Sequence, residues 1–168
     1  LTFSEIFEIL GLAFKGNLEQ ATEKIDGINL VFSYDRSSGL RVARSLNDIK
    51  TFGMNAEELS QKFADRGNVR AAFNEGFSTL ERAVQVIPEH DLLKIFGTKT
   101  NRWFSIEIVY SKMQNIINYD GDYIVFHPYP IFELNHGVVL KSNNVDAGKS
   151  LNFYVNQMKQ AVKIRNWK

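Results

Sequence analysis

Apolar residues recur along this chain at two different periods, and the period of 3.6 residues marks the helices. The segment SEIFEILGLAFKG has apolar positions at helical spacing followed by a glycine, which predicts a helix over residues 4 to 15. In NAEELSQKFAD, Asn55 followed by Glu58 three residues later is the pattern of a capping box, which predicts a second helix. Helical spacing also predicts a helix over residues 67 to 87 that stops before a proline, and a closing helix over residues 147 to 164.

The strand candidates are rich in β-branched and aromatic residues. INLVFSYD and LRVARSL are joined by RSSG, which is a hairpin signal. RWFSIEIVYS and DYIVFHPY are separated by a YDGD turn, the prolines of HPYPIF are expected to end the second of them, and HGVVLKS is a further short strand candidate. The pattern therefore predicts a single α+β domain over residues 1 to 168, with antiparallel β-sheets and flanking helices.

Composition narrows the class of protein. A chain of 168 residues with 44% hydrophobic and 23% charged residues can bury an ordinary core, which excludes disordered and fibrous classes. The net charge of +1 sets up no global field, so a nucleic-acid contact would need a local patch. The chain has no cysteine, which excludes disulfides and thiolate metal sites and suits a reducing cytosol. No apolar run reaches membrane-spanning length, and we expect a cytoplasmic monomer, in the host cytoplasm if the protein is viral.

The string EKIDG offers candidate chemistry. In an extended segment Lys24 and Asp26 point to the same side, and Gly27 lets the chain turn closely against a ligand. A lysine can attack phosphorus only as a neutral amine, a form that desolvation or neighbouring cations favour. The alternative interpretation is an ordinary surface lysine before a hairpin, since three fixed positions recur by chance in about 2% of chains this long.

Further motifs in the same order make the chain resemble the covalent nucleotidyltransferase superfamily, the polynucleotide ligases and mRNA capping enzymes with a KxDG lysine. EKIDGIN, with Asn29 two residues after the glycine, is more similar to RNA ligases of the phage and RNA-editing type. LRVARSL carries Arg44 where the family has a basic residue on the returning strand. WFSIEIVY resembles the FxGE motif, with Phe104 and Glu107 in register, and the aromatic strand DYIVFHPY follows.

The chain also departs from the family pattern. Ile106 stands at the glycine of FxGE, and His127 stands where the family often has Asp. HGVVLKS imitates the fourth motif, EGxVxK, with His136 in place of the glutamate, but it follows Glu107 too closely. We therefore expect the fourth and fifth motifs to lie beyond Lys168, in which case this chain is the first part of a ligase-type adenylation domain.

The resemblance implies a reaction and a set of roles. Lys24 would attack the α-phosphorus of ATP to form lysyl-AMP with the help of Mg²⁺, and the AMP would pass to a 5′-phosphate end that a 3′-hydroxyl then seals. Asp26 would orient Lys24 or the sugar. The partners implied are ATP and nucleic-acid ends, with RNA favoured over DNA. The nucleotide contacts implied by the family pattern are Glu23 beside the lysine, Asn29 at the sugar-phosphate, Arg44 at phosphate, Glu107 at the ribose hydroxyls and as the candidate metal ligand, and Phe126 stacked on adenine.

Two other functions stay open on the sequence. A capping-type guanylyltransferase would share the lysine chemistry but use GTP, and a noncatalytic module with a ligase-like fold would bind nucleotide or nucleic-acid ends. His90, His127 and His136 lack the spacing of a metal site. The arginines of the second long helix, Arg66, Arg70 and Arg82, are expected to form a solvated face, with a nucleic-acid contact as the alternative.

Overall fold

A computed structural model describes residues 2 to 16, 27 to 113, 121 to 142 and 144 to 161 of the chain. Helices and antiparallel strands are mixed along it, which confirms the predicted α+β class. The helices are α1 (Phe3–Phe14), α2 (Leu46–Lys50), α3 (Ala56–Lys62), α4 (Gly67–Val84), α5 (Glu89–Phe96) and α6 (Val145–Ala161). The strands are β1 (Ile28–Asp35), β2 (Gly39–Ala43), β3 (Arg102–Val109), β4 (Tyr123–Asn135) and β5 (Val138–Ser142).

The five strands form one antiparallel sheet in the order β2-β1-β3-β4-β5. Helices α4, α5 and α6 cover one face, where alternate residues of β1 and β3 enter the main core. We call this side the helix face. Its fully buried side chains include Leu30, Phe32, Phe73, Phe96, Phe104 and Ile106.

The other side of the sheet is covered at one end by α2, and we call it the second face. Ile49 of α2 packs there against Val31, Ala43, Trp103 and Leu134 in a smaller apolar cluster. Helix α2 contacts both edge strands, β2 and β5. Since these strands are at opposite edges of the sheet, the sheet must curl around α2. Asn29 of β1 and its pairing partner Glu107 of β3 lie outside this cluster, and Asn29 is exposed.

Two local elements differ from the sequence expectations. LRVARSL is not a strand throughout: β2 ends at Ala43, and α2 begins at Leu46. Ser45 and Asp48 form a reciprocal capping box, in which their side chains accept from backbone N–H groups at the start of α2. These hydrogen bonds favour a helix here over continuation of the edge strand. The sequence analysis also missed α5, which follows Pro88 directly.

The prolines of HPYPIF were expected to end a strand, and this prediction is wrong because β4 continues to Asn135. The pairing shows how the prolines are accommodated. Phe104 pairs with Ile131 and Ile106 pairs with Phe126, so a two-residue step on β3 faces a five-residue step on β4. The three extra residues of β4 form a bulge where the ladder is interrupted, and a residue without an N–H is tolerated there.

The remaining expectations are met within small shifts of boundary. The capping box of Asn55 and Glu58 is present at α3. His136 and Gly137 form the two-residue turn between β4 and β5, both with positive φ (49° and 79°), so β5 begins after them. The YDGD turn and the end of the closing helix lie partly outside the described residues.

Helix α1 differs from the others in its burial. It has a capping box at Thr2 and Glu5, yet none of its residues is buried. Phe3 and Phe14 are 84% and 91% exposed. The helix is therefore held by its own capping and backbone bonds rather than by the core.

Candidate functional site

Two sequence motifs meet on the second face, at the end of the sheet where β1 begins and β3 ends. Asn29 of β1 pairs with Glu107 of β3, and Gly27 precedes β1 at the same level. Arg44, just after β2, reaches this place from the neighbouring hairpin. We call Gly27, Asn29, Arg44, Ser105, Glu107 and His127 the candidate site. Three of the nucleotide contacts expected from the sequence, Asn29, Arg44 and Glu107, are thus brought together.

The Glu107 carboxylate joins two strands through its two oxygens. Its Oε1 accepts a hydrogen bond from the Gly27 backbone N–H at 3.1 Å. Its Oε2 lies 3.2 Å from Nε2 of His127 on β4. The Glu107 side chain is 16% exposed and that of His127 is 31% exposed, so the link is partly shielded from water.

Gly27 lies too close to β3 for any side chain. A β-carbon at this position would lie 2.7 Å from Cγ of Glu107 and 2.8 Å from the carbonyl oxygen of Ile108. The glycine of EKIDG is therefore required by the approach of the backbone to Glu107, whereas the sequence analysis associated it with the approach to a ligand.

Arg44 is placed by the hairpin and by the cap of α2. Its Nη1 donates to the carbonyl oxygen of Asn29 at 2.5 Å, and its backbone N–H donates to Oδ2 of Asp48 at 3.0 Å. Burial would raise the pKa of Asp48, but hydrogen bonds from Lys62 and the Arg44 backbone outweigh it and hold the pKa below its ordinary 3.8. Asn29 in turn donates from Nδ2 to the carbonyl oxygen of Ile106 at 3.3 Å.

A pocket of about 300 Å³ adjoins this cluster on the α2 side. It has polar groups from the candidate site, namely Asn29, Arg44 and Ser105, and an aromatic wall at Phe132. The pocket combines a cation, hydrogen-bonding groups and an aromatic surface, a mixture that suits a small organic anion with a planar group.

Phe126, expected to stack on adenine, lies on the helix face. It pairs with Ile106, packs against the main core and meets the ring of Phe32 with centroids 5.9 Å apart. The bulge in β4 explains why Phe126 and Phe132 lie on different faces of the sheet. The bulge adds three residues, an odd number, so the side chains that follow it switch faces. Phe132 therefore lies on the second face, although two even-numbered residues of a regular strand would share a face.

The departure at Ile106 has little effect on the candidate site. Its side chain is 0% exposed and belongs to the main core on the helix face. Only its carbonyl oxygen faces the candidate site residues, as the acceptor for Asn29. An isoleucine at this position therefore does not fill the space in front of Glu107.

Lys24 and Asp26, the expected catalytic residues, lie outside the described residues, as does Glu23. The described chain resumes at Gly27, the last residue of the KxDG motif, which is bound to Glu107.

The expected metal role of Glu107 has limited support from its neighbours. In the described part of the chain, no group of three or more His, Asp or Glu side chains could hold a metal ion. Both oxygens of Glu107 already have partners, Gly27 and His127. The donor set therefore does not form a protein cage for Mg²⁺, which commonly binds through substrate phosphates and water instead.

The arginines of the α4 region lie away from the candidate site. Arg66 lies over the ring of Phe63 at 5.8 Å, Arg70 donates to Ser60, and Arg82 donates to the Ser78 carbonyl. All three are exposed and contact neighbours in or next to α3 and α4, as expected for a solvated face.

Sequence reasoning missed Phe132 and the partner role of His127. The period of two along β3 could have found Ser105, which shares the face of Glu107. No such rule could have found Phe132, since the bulge reverses the alternation.

No protein-family model, curated protein or solved structure matches the chain. Among the described residues, no helix is both long enough and apolar enough to cross a membrane.

Proposed function

We propose that this chain belongs to an ATP-dependent polynucleotide ligase of the RNA-ligase type and carries the lysine that becomes adenylylated. One observation carries the proposal: Gly27 of EKIDG and Glu107 of WFSIEIVY, 80 positions apart, are joined by a hydrogen bond. Asn29, two residues after Gly27 in EKIDGIN, and Arg44, from the separate segment LRVARSL, are adjacent to them. Residues chosen for their resemblance to one family thus lie together on one face of the sheet.

The proposed reaction has three displacements at phosphorus, by Lys24, by a 5′-phosphate and by a 3′-hydroxyl. The neutral amine of Lys24 attacks the α-phosphorus of ATP, the P–N bond forms, and the P–O bond to the β-phosphate breaks to release pyrophosphate. The 5′-phosphate of a strand then displaces the lysine and takes the AMP, and a 3′-hydroxyl displaces AMP to form the phosphodiester. Mg²⁺ arrives with the phosphates of ATP and offsets their charge.

The geometry suggests how the roles divide among the described residues. Glu107 lies half-buried on the second face of β3, and each of its oxygens keeps a lone pair that can accept from a ribose hydroxyl. Arg44 is exposed beside the pocket and can bind phosphate, with Asn29 next to it at the sugar. We assign the aromatic contact with adenine to Phe132, because it lies on this face and Phe126 does not.

The lysine chemistry is tested by intact mass after incubation of the full protein with ATP and Mg²⁺. We expect a gain of one AMP, about 329 Da, as for covalent transfer to a side chain. Lys24→Ala should form none, and Lys24→Arg should also fail because a guanidinium stays protonated. An undiminished adduct in Lys24→Ala would overturn the assignment. A parallel incubation with GTP tests for a capping-type enzyme, and absence of any adduct with either nucleotide would favour a noncatalytic binding module.

The substrate is tested with nicked duplexes that differ only in the ribose at the 3′-hydroxyl side. EKIDGIN resembles RNA ligases, so we expect the RNA-ended nick to be sealed faster. A site that hydrogen-bonds the 2′-hydroxyl loses about 1–3 kcal/mol with DNA, a preference of about ten- to a hundredfold. Equal rates, or faster sealing of DNA, would contradict the RNA assignment without affecting the lysine chemistry. The absence of cysteine from the sequence suits a reducing compartment, and we propose that the protein acts in the cytoplasm.

A further inference from the structure

His127 is a departure from the family pattern that the structure places in direct contact with Glu107. Its Nε2 lies 3.2 Å from Oε2 of Glu107. The other carboxylate oxygen, Oε1, accepts from the Gly27 N–H at 3.1 Å. A continuous link therefore runs from β4 through β3 to the residue that follows Lys24, Ile25 and Asp26.

The direction of the hydrogen bond follows from the chemistry of the partners. An ionised carboxylate can only accept, so the imidazole must donate its Nε2–H. A hydrogen bond to an ionised carboxylate is stronger than one between neutral groups. The bond from His127 holds Oε2, and Glu107 therefore keeps the conformer in which Oε1 accepts from the Gly27 N–H.

Backbone packing makes the link sensitive to small displacements. Gly27 has no room to move toward β3, since even a β-carbon would overlap Glu107 Cγ and the Ile108 carbonyl oxygen. If Glu107 rotates away, the Gly27 N–H loses its acceptor on the side where the chain is closest. Gly27 is then held less firmly at the start of β1.

We propose that His127 is a positioning residue that fixes Glu107 and, through it, the end of the EKIDG segment. Its effect on adduct formation rests on the proposed function, whereas its effect on Gly27 does not. His127 itself donates no proton to the reacting atoms. It serves to keep a carboxylate and a backbone amide in one arrangement, which reduces the reorganisation needed when nucleotide binds.

The test compares two substitutions of similar size in the full protein. His127→Gln retains an N–H donor, and His127→Leu removes it. The first readout is hydrogen exchange of the Gly27 amide, followed by NMR without nucleotide. We expect exchange to accelerate by about two- to tenfold in His127→Leu, the range for one lost hydrogen bond, and to remain near the wild-type rate in His127→Gln. If leucine is not accommodated, His127→Ala removes the donor with a smaller side chain.

The second readout is the rate of lysyl-AMP formation at saturating ATP, which should fall by about tenfold in His127→Leu and recover in His127→Gln. Unchanged Gly27 exchange in His127→Leu, or equally fast exchange in both variants, would overturn the inference. If the wild-type protein forms no adduct, the proposed function fails, while the exchange experiment still decides whether His127 positions Gly27.

Discussion

At the scale of single residues, the site depends on how closely two strands approach at Gly27. The absence of a side chain there lets the backbone N–H reach the Glu107 carboxylate directly. Glu107 uses one oxygen for this amide and the other for His127, so its position is determined from both neighbouring strands. A nucleotide that binds Glu107 would therefore meet a carboxylate that is already oriented.

Gly27→Ala should lower the free energy of unfolding by about 1–3 kcal/mol, because the new methyl group meets backbone that cannot rotate away. Urea denaturation checks this. Gly11→Ala is the matched control, since a β-carbon at Gly11 in α1 has no heavy atom within 4 Å. It should change the free energy of unfolding by less than about 1 kcal/mol. Wild-type stability in Gly27→Ala would show that β1 and β3 are farther apart at this point.

At the scale of secondary-structure elements, the bulge in β4 decides which aromatic residues face the candidate site. Before the bulge, Phe126 lies on the helix face with Ile106. After it, Ile131 takes that side and Phe132 turns to the second face with Trp103. A strand without the bulge would place Phe132 on the same side as Phe126. The irregular segment thus supplies an aromatic wall to the pocket beside Arg44.

Phe126→Ala and Phe132→Ala should separate stability from nucleotide binding. We expect Phe126→Ala to lower the free energy of unfolding by about 3 kcal/mol, with little change in the KM for ATP in adduct formation. Phe132→Ala should raise that KM by about tenfold, because stacking of a base on an aromatic ring contributes about 1–3 kcal/mol. Urea denaturation and adduct formation measured against ATP concentration check both. A rise in KM confined to Phe126→Ala would contradict the assignment of the two faces.

At the scale of the whole molecule, the described residues form a thick helical layer on one side of the sheet and cover part of the other side with α2. The main core is formed against α4, α5 and α6. The second face is covered in part by α2, through Ile49, and bears the candidate site beside this helix. Stability and the candidate site therefore lie largely on opposite sides of the same strands.

Acid should destabilise the fold through carboxylates in the sheet and in α2. Burial would raise the pKa of Asp35, Asp48 and Glu133, but hydrogen bonds to each outweigh it and leave the pKa below its ordinary value. Because these groups bind protons less tightly in the folded state, their stabilisation is present at neutral pH and is lost as the pH falls below about 4. Urea midpoints measured between pH 7 and pH 3 should show this decline.

Asp48→Asn should lower stability at pH 7 and weaken its dependence on pH, because the amide cannot ionise. Glu81→Gln, which replaces an exposed carboxylate on α4, controls for the loss of one negative charge. An acid dependence in Asp48→Asn as steep as in the wild type would show that Asp48 does not contribute to it.

The sequence by itself determined the elements whose signals are local. The capping box at Asn55, the hairpin after β1 and the α+β class follow from side-chain period, cap chemistry and turn residues, which act within a few positions. The candidate residues Asn29, Arg44 and Glu107 could also be chosen in advance, because motif order is a property of the chain. Their adjacency is a property of the sheet.

Only the tertiary structure decided which side chains share a face and what they touch. At Arg44 and Ser45 the chain could continue β2 or begin α2, and packing of Ile49 on the second face favours the helix. The bulge reverses the alternation between Phe126 and Phe132, and the contact of His127 with Glu107 depends on the register of β3 with β4. Register is set by pairing between distant segments, so no local pattern in the sequence could specify it.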